Sequence, residues 1–365
     1  MSRSSSPHLW LALSPHGFGH AAMTAPVVAA LKRRRPGLRL TIQTGVRPDF
    51  LESRYGAGFD LVRDIPDFGF RMNSSVDIDL DASAEAYRHL HRNWPEVVER
   101  EAERLRAAAP DLVLANAPYV TIAAAALAGI PVAGFSSLEW ADIYDHYLGD
   151  RPGSAAIVAQ MAEAYNAGDV FLKAVPGMDM PRLTKVVEIG TVGEAGTRCP
   201  DLAQRLGLGP GSRIGVIVFG GIDHRLDLAR WPRLDGWVWL TPMDVPPDRS
   251  DLRPLTAAGL DFPDLLASAD VLVTKPGYGA FSEAGLLGCP VLYLPRPDWP
   301  ECPHLDLWLQ AHTRALPITV EMLLGPGLET QLRSLFSLPV PVLARADGNE
   351  AAAAILESLL ERERG

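Results

Sequence analysis

"VLVTKPGYGAFSEAGLLGCPVLYLP", Val271 to Pro295, holds the pattern on which the reading of this chain turns. An apolar, β-branched run enters a loop with Lys275, Gly277 and Gly279. A small-residue helical stretch opens at about Ala280, and a second apolar run follows Pro290. Neighbouring parallel strands cannot be joined by a tight turn and need a crossover, usually a helix. Strand, glycine loop, helix and strand together therefore predict one unit of a parallel sheet.

Working outward, the same alternation appears in two series. The first has strand-like runs at residues 9–13, 38–44, 112–117, 131–137 and 169–175; the second has them at 213–221, 237–242, 269–277, 290–296 and 314–319. Between them "EIGTVGEAGTRCPDLAQ" is glycine-rich and lacks apolar periodicity, which places a boundary near Gly193. The expectation is an α/β chain of two Rossmann-like, doubly wound domains, 1–192 and 193–365, facing across a cleft. The last helix, about 349–363, is expected to pack back on the first domain. Ligands of such sheets bind at the carboxyl ends of strands, so the chemistry should lie in strand-to-helix loops.

In the loop after Val271–Thr274, small residues let backbone N–H groups approach an anion at the positive end of a helix, and Lys275 adds a point charge. A diphosphate fits. Glu283, one turn on, is placed to accept hydrogen bonds from a sugar diol. The plain alternative is a strand-turn-helix in which Glu283 only favours the helix start. A second glycine exit, "VIVFGGID" with Gly220 and Gly221, lies in the same domain and can hold the other side of one diphosphate. "SPHGFGH", Ser14 to His20, is a tight corner between the first strand and first helix, and it carries two histidines.

Composition narrows the class. Of 365 residues, 47% are hydrophobic and 21% charged, as in a globular protein large enough for two domains; the net charge of -10 argues against sequence-independent nucleic-acid binding. Three cysteines, Cys199, Cys289 and Cys302, have neither disulfide-framework nor zinc spacing and suit a reducing cytoplasm. The apolar run near the amino terminus is too short to span a bilayer, and no signal-peptide cleavage pattern follows it.

"SPHGFGH" followed by Pro26, "FGG" at Phe219 to Gly221 and "KPGYGAFSEAGLLGCPVLYLPR" resemble the motifs of GT-B glycosyltransferases, in the branch of the peptidoglycan N-acetylglucosaminyltransferase and the UDP-glycosyltransferases. "HGFGHAAMTAPVVAAL", "VDIDLDASAEAY", "SSLEWADIYDHYL" and "KPGYGAFSEA" are more closely similar to the glycosyltransferase-like amino-terminal half of plant L-arabinokinase and its free-standing bacterial relatives. The resemblance covers only that half, and no sugar-kinase half is expected, so kinase activity is not carried over. The resemblance implies a GT-B fold and sugar transfer from a nucleoside-diphosphate sugar, in the first place a UDP-sugar, to a hydroxyl acceptor with inversion. It implies no obligatory metal or cofactor.

By that resemblance the carboxyl-terminal domain holds the donor, with Gly220, Gly221, Lys275, Gly277 and Gly279 around the diphosphate and Glu283 on the ribose. Tyr278 and Ser282 complete the set. Asp298 and Glu301 in "RPDWPECPH" are candidates for the donor-sugar hydroxyls. His20 matches the histidine that deprotonates the acceptor, and Asn116 stands where several relatives carry the aspartate paired with it. Asp142 or Glu139 would substitute for that charge. His16, Glu139, Trp140 and Asp142 are the acceptor-side candidates.

Two stretches invite other readings. "DIDLD", Asp77 to Asp81, has a metal-chelating spacing but leads into a helical pattern, so it reads first as a helix cap or acceptor loop. "KRRR", Lys32 to Arg35, could touch an anionic membrane, yet reads first as a solvated cluster favoured by the helix dipole. Two other functions compete with transfer: a sugar-nucleotide epimerase of the same form, and a non-catalytic sugar-nucleotide-binding partner protein.

Overall fold

The computed structural model describes residues 6–74, 77–220 and 226–361. The chain forms two compact units, Met1–Val192 together with Asp347–Gly365, and Gly193–Ala346.

The first unit runs β1 (His8–Leu13), α1 (Gly19–Arg34), β2 (Arg39–Gln43), α2 (Pro48–Tyr55), β3 (Asp60–Val62), α3 (Leu80–Arg92), α4 (Trp94–Ala108), β4 (Leu112–Asn116), α5 (Tyr119–Leu127), β5 (Val132–Ser136), α6 (Trp140–Leu148), α7 (Ser154–Asn166), β6 (Val170–Ala174) and β7 (Val186–Gly190). Its seven strands are all parallel, in the order β3-β2-β1-β4-β5-β6-β7. Every residue of β1, β4 and β5 is buried, which is why these strands read as continuous apolar runs.

The second unit runs α8 (Leu202–Arg205), β8 (Arg213–Ile217), β9 (Trp237–Thr241), β10 (Leu252–Pro254), α9 (Phe262–Ser268), β11 (Val271–Thr274), α10 (Tyr278–Leu287), β12 (Val291–Tyr293), α11 (Cys302–His312), β13 (Ala315–Pro317), α12 (Val320–Leu323) and α13 (Gly327–Ser337). Its six parallel strands follow the order β10-β9-β8-β11-β12-β13. One core cluster joins Trp231 and Trp239 to Val271, Val273, Leu292 and the buried leucines of α13. The stretch 271–295 is thus β11, α10 and β12, with the helix starting two residues earlier than its sequence suggests.

Three strands escape the sequence pattern: β3, β7 and β10. Each lies at the edge of its sheet and is only partly buried, so it has no unbroken apolar run to betray it.

The chain ends in α14 (Gly348–Leu360), which packs on α1 and β7 through Ala352, Ala353, Leu356 and Leu359. Burying the two leucines contributes roughly 2 kcal/mol each. The "KRRR" cluster lies at the carboxyl end of α1 and is partly exposed, as its sequence suggests, but it also has partners. Arg33 pairs with Glu350 at 2.7 Å, Arg34 and Arg35 with Glu357 at 2.8 and 2.9 Å, and Arg35 also with Glu361. The arginines form an ion-pair ladder to the returning helix, a tertiary contact across more than 300 residues that no local pattern encodes.

In "DIDLD", the Asp79 side chain caps α3 by accepting from the Ala82 N–H at 2.9 Å, and Asp81 pairs with Arg151. Among the described residues no helix is long and apolar enough to cross a membrane.

Candidate functional site

In the first unit, β1 and β4 are neighbours with Leu13 opposite Asn116, so the exit of one strand lies beside the end of the other. His20 is the second residue of α1 and only 7% exposed. Its Nδ1 stands 2.8 Å from Asn116 Oδ1. The Thr24 hydroxyl donates its single proton to the His20 carbonyl at 2.7 Å, so its oxygen accepts from Asn116 Nδ2 at 2.8 Å. That orders the amide. Its carbonyl oxygen, which has no proton to give, faces the imidazole, so Nδ1 carries the hydrogen and Nε2 keeps its lone pair. Burial lowers the His20 pKa, against the opposing pull of the Asn116 hydrogen bond. A neutral imidazole with a free Nε2 can take a proton at neutral pH.

Around this network stand His16, from the β1–α1 loop, and the residues that open α6 after β5. The fully buried Trp140 lies 5.9 Å from the His20 ring and 5.5 Å from the His16 ring, centroid to centroid. The structure gives Glu139 and Asp142 other work. Both oxygens of Glu139 accept from the N–H groups of Ala141 and Asp142, at 2.6 and 2.7 Å, so it caps α6, and burial raises its pKa to about 7. Asp142 pairs with Arg182. Neither carboxylate replaces the missing charge partner of His20.

Asp67, which the sequence did not single out, joins this region. It lies in the loop after the edge strand β3, 5% exposed, with its carboxyl beside the Ser14 hydroxyl. Burial pushes its pKa up to about 6, opposed by the nearby Ser14 hydroxyl and the backbone of Gly69 and Phe68; the Ser14 hydroxyl itself has no hydrogen-bond partner among the described residues. No apolar run announces β3, so nothing in the sequence marked the loop that follows it.

In the second unit, Gly277 is the N-cap residue of α10 and offers no side-chain cap, and no acidic residue occupies the first turn. The positive end of this ten-residue helix is therefore uncompensated by its own sequence. Lys275 precedes it, half-buried, with its pKa lowered to about 8, first by desolvation and then by the positive charge of Arg296. Gly220 adopts φ +83°, and a Cβ there would stand 4.0 Å from Lys275 Cε, so the β8 exit approaches the same lysine. Gly221 lies outside the described residues.

Arg296 opens the segment in which the sequence points to Asp298 and Glu301. It is 6% exposed, and its Nε and Nη2 have no hydrogen-bond partner among the described residues. Its guanidinium lies over the Trp299 ring at 4.4 Å. Two adjacent cations near a helix N-terminus make an anion cradle. Glu301 is buried and accepts from Trp299 Nε1 at 3.3 Å, whereas Asp298 is exposed. Tyr278 and Glu283 are buried in α10, and Gly193 lies over Ser282 and Glu283. Ser282 donates to the Gly279 carbonyl at 3.2 Å. Among the described residues no cluster of three or more His, Cys, Asp or Glu has metal-holding geometry.

No protein-family model matches the chain. It is 27% identical to the L-arabinokinase of Arabidopsis thaliana over 367 aligned residues, covering 97% of this chain and 35% of that protein. The chain thus spans about a third of that curated relative. Among solved structures, the calicheamicin glycosyltransferase CalG4 is 16% identical, covers 98% of this chain and 99% of its own, and superposes with a TM-score of 0.58. A putative UDP-N-acetylglucosamine 2-epimerase from Listeria monocytogenes is 15% identical, covers 96% and 91%, and gives 0.53. At such identities the likeness is one of fold: two parallel-sheet units of the GT-B type.

Proposed function

We propose that this GT-B chain is a glycosyltransferase that moves a sugar, a hexose or a relative of one, from a nucleoside-diphosphate sugar to a hydroxyl acceptor with inversion, and that the nucleotide is UDP. The observation that carries the reading is the closed Thr24, Asn116 and His20 network, which directs the ring hydrogen to Nδ1 and leaves the lone pair on Nε2, while burial favours the neutral ring. In the proposed step Nε2 takes the acceptor proton while the acceptor oxygen attacks the anomeric carbon. The bond from that carbon to the diphosphate oxygen breaks as the new one forms.

The departing diphosphate gains negative charge. Lys275, Arg296 and the N-terminus of α10 supply fixed positive potential for it, so the reaction has no need of a divalent cation. Glu283 is assigned to the ribose, and Asp298 and Glu301 to donor-sugar hydroxyls. The relationship to L-arabinokinase and the fold of CalG4 both accord with sugar chemistry.

The test is nucleotide release from a panel of nucleoside-diphosphate sugars, with and without acceptors and with and without magnesium. Acceptor-dependent release that survives chelation and disappears in His20→Ala supports transfer. Epimer formation without release replaces it with the epimerase reading, which the Listeria neighbour keeps in view. Donor binding with no turnover in any mixture leaves a sugar-nucleotide-binding partner protein.

A further inference from the structure

We infer that the acceptor is a polyhydroxylated molecule, a sugar or cyclitol, and that the Asp67 carboxylate selects it by accepting a hydrogen bond from a hydroxyl other than the one glycosylated. This rests on the transfer reaction proposed above and adds the chemical class of its second substrate.

Asp67 Oδ2 is buried and has no hydrogen-bond partner among the described residues; neither does the Trp140 indole Nε1. One is an acceptor without a donor, the other a donor without an acceptor. They belong to one neighbourhood. Gly69, two residues beyond Asp67, lies so close to Trp140 and His16 that a Cβ there would stand 3.0 Å from the indole ring and 3.1 Å from His16 Cβ. Its φ of +59° also disfavours any larger residue, so the turn that follows Asp67 is held against the indole. The same indole lies against the His20 ring.

Among the described residues no cation compensates Asp67: the groups that act on its titration are the Ser14 hydroxyl and backbone amides. Folding alone gives no reason to keep a buried carboxylate oxygen without a donor, because the cost of leaving it unmatched is high. A hydroxyl both donates and accepts, so a molecule carrying several can satisfy Asp67 and Trp140 at once and still present one to His20. An apolar or purely aromatic acceptor leaves both unmatched. Sites built to hydrogen-bond a hydroxyl reject analogues that lack it by roughly 10⁴-fold.

The experiment is saturation-transfer NMR on the full chain with two panels, monosaccharides and cyclitols against phenols and other apolar aglycones. Wild type, Asp67→Asn and Trp140→Phe are compared. At least one polyol should bind wild type, at least ten-fold more weakly to Asp67→Asn and several-fold more weakly to Trp140→Phe. UDP affinity, titrated on the same preparations, should not change. Ser14→Ala serves as the second variant should Asp67→Asn lose its cooperative melt, and should weaken polyol binding several-fold. Binding of phenols alone, of no polyol, or of polyols equally well by the Asp67 variant overturns the inference; equal binding would mean that a buried water serves these atoms. Polyol binding lost in Asp67→Asn, with no acceptor-dependent nucleotide release in wild type, leaves this site standing and overturns the transfer reaction instead.

Discussion

The His20 region and the Lys275 region solve opposite problems. Around His20 the proton positions follow from a closed chain of hydrogen bonds, Thr24 to the His20 carbonyl, Asn116 to Thr24 and His20 to Asn116, with no outside group required. Around Lys275 the arrangement is open: two neighbouring cations, an uncapped helix start and a guanidinium with two nitrogens lacking partners. A base works best when it is oriented before its substrate arrives, whereas an anion cradle holds charge that only its ligand can neutralise. The first region should therefore govern turnover and the second donor affinity.

The strongest break of that contrast is His20→Ala. It should lower kcat by roughly 10²–10⁴-fold, the range of general-base contributions, and leave donor Kd within two-fold, about the scatter of such measurements. A donor Kd that rises in parallel would merge the two regions and remove the base from its role.

Next come Lys275→Met and Arg296→Met. Each should raise donor Kd by roughly ten- to a hundred-fold, as expected for a charged hydrogen bond to phosphate worth about 1.5–3 kcal/mol. Without donor, Lys275→Met should raise the melting temperature. The folded pKa of Lys275, about 8, lies below its unfolded value, so its charge costs stability fully below pH 8, and that cost fades toward the unfolded pKa. Partial solvent contact brings the gain to about 1–2 kcal/mol. Wild-type donor affinity should fall as pH rises through about 8, because the free lysine then loses the proton that the diphosphate needs. Pre-steady-state binding across pH 6.5–9.5 reads this directly, and a flat profile would remove Lys275 from the cradle.

Asn116→Asp sharpens the contrast from the other side. A carboxylate beside Nδ1 favours the imidazolium, so the His20 pKa should rise and the acid limb of kcat/KM should move up by about one pH unit. The rate on the plateau should change by no more than roughly ten-fold. No movement of the acid limb would mean that His20 is not the group that titrates.

The smallest effect is expected far from both regions. Glu357→Ala breaks two rungs of the exposed ladder between α1 and α14, and surface pairs of this kind are worth about 0–1 kcal/mol each. The melting temperature should drop by a few degrees at low salt and hardly at all in high salt, with turnover unchanged.

Legibility in the sequence followed burial. The central strands β1, β4, β5, β8 and β11 are covered and therefore written as apolar runs. Edge strands β3, β7 and β10 are half in water and are written as nothing in particular; the equally exposed edge strand β13 is legible from its place after α11 in the alternation of strands and helices. The same logic separates the site residues. His20, Gly220, Lys275 and Glu283 lie in glycine-marked turns or in the helices that these turns open, where a local pattern can be seen. Arg296 and Asp67 are ordinary charged residues in proline-containing loops, and what distinguishes them is that some of their buried polar atoms lack hydrogen-bond partners, which shows only once the loops are folded. Glu139 shows the converse: an acidic residue in a suggestive motif whose oxygens the backbone of α6 already occupies.

By itself the sequence determined the class of the fold, because alternating buried strands and crossover helices leave a one-dimensional record in apolar periodicity. Tertiary structure alone decided which tautomer His20 adopts, which cations lack partners and where the last helix returns. Each of these depends on atoms that meet across tens to hundreds of residues: 96 between His20 and Asn116, and 323 between Arg34 and Glu357. Hydrogen bonding and ion pairing act only over a few ångströms, so no reading of neighbours along the chain can supply them.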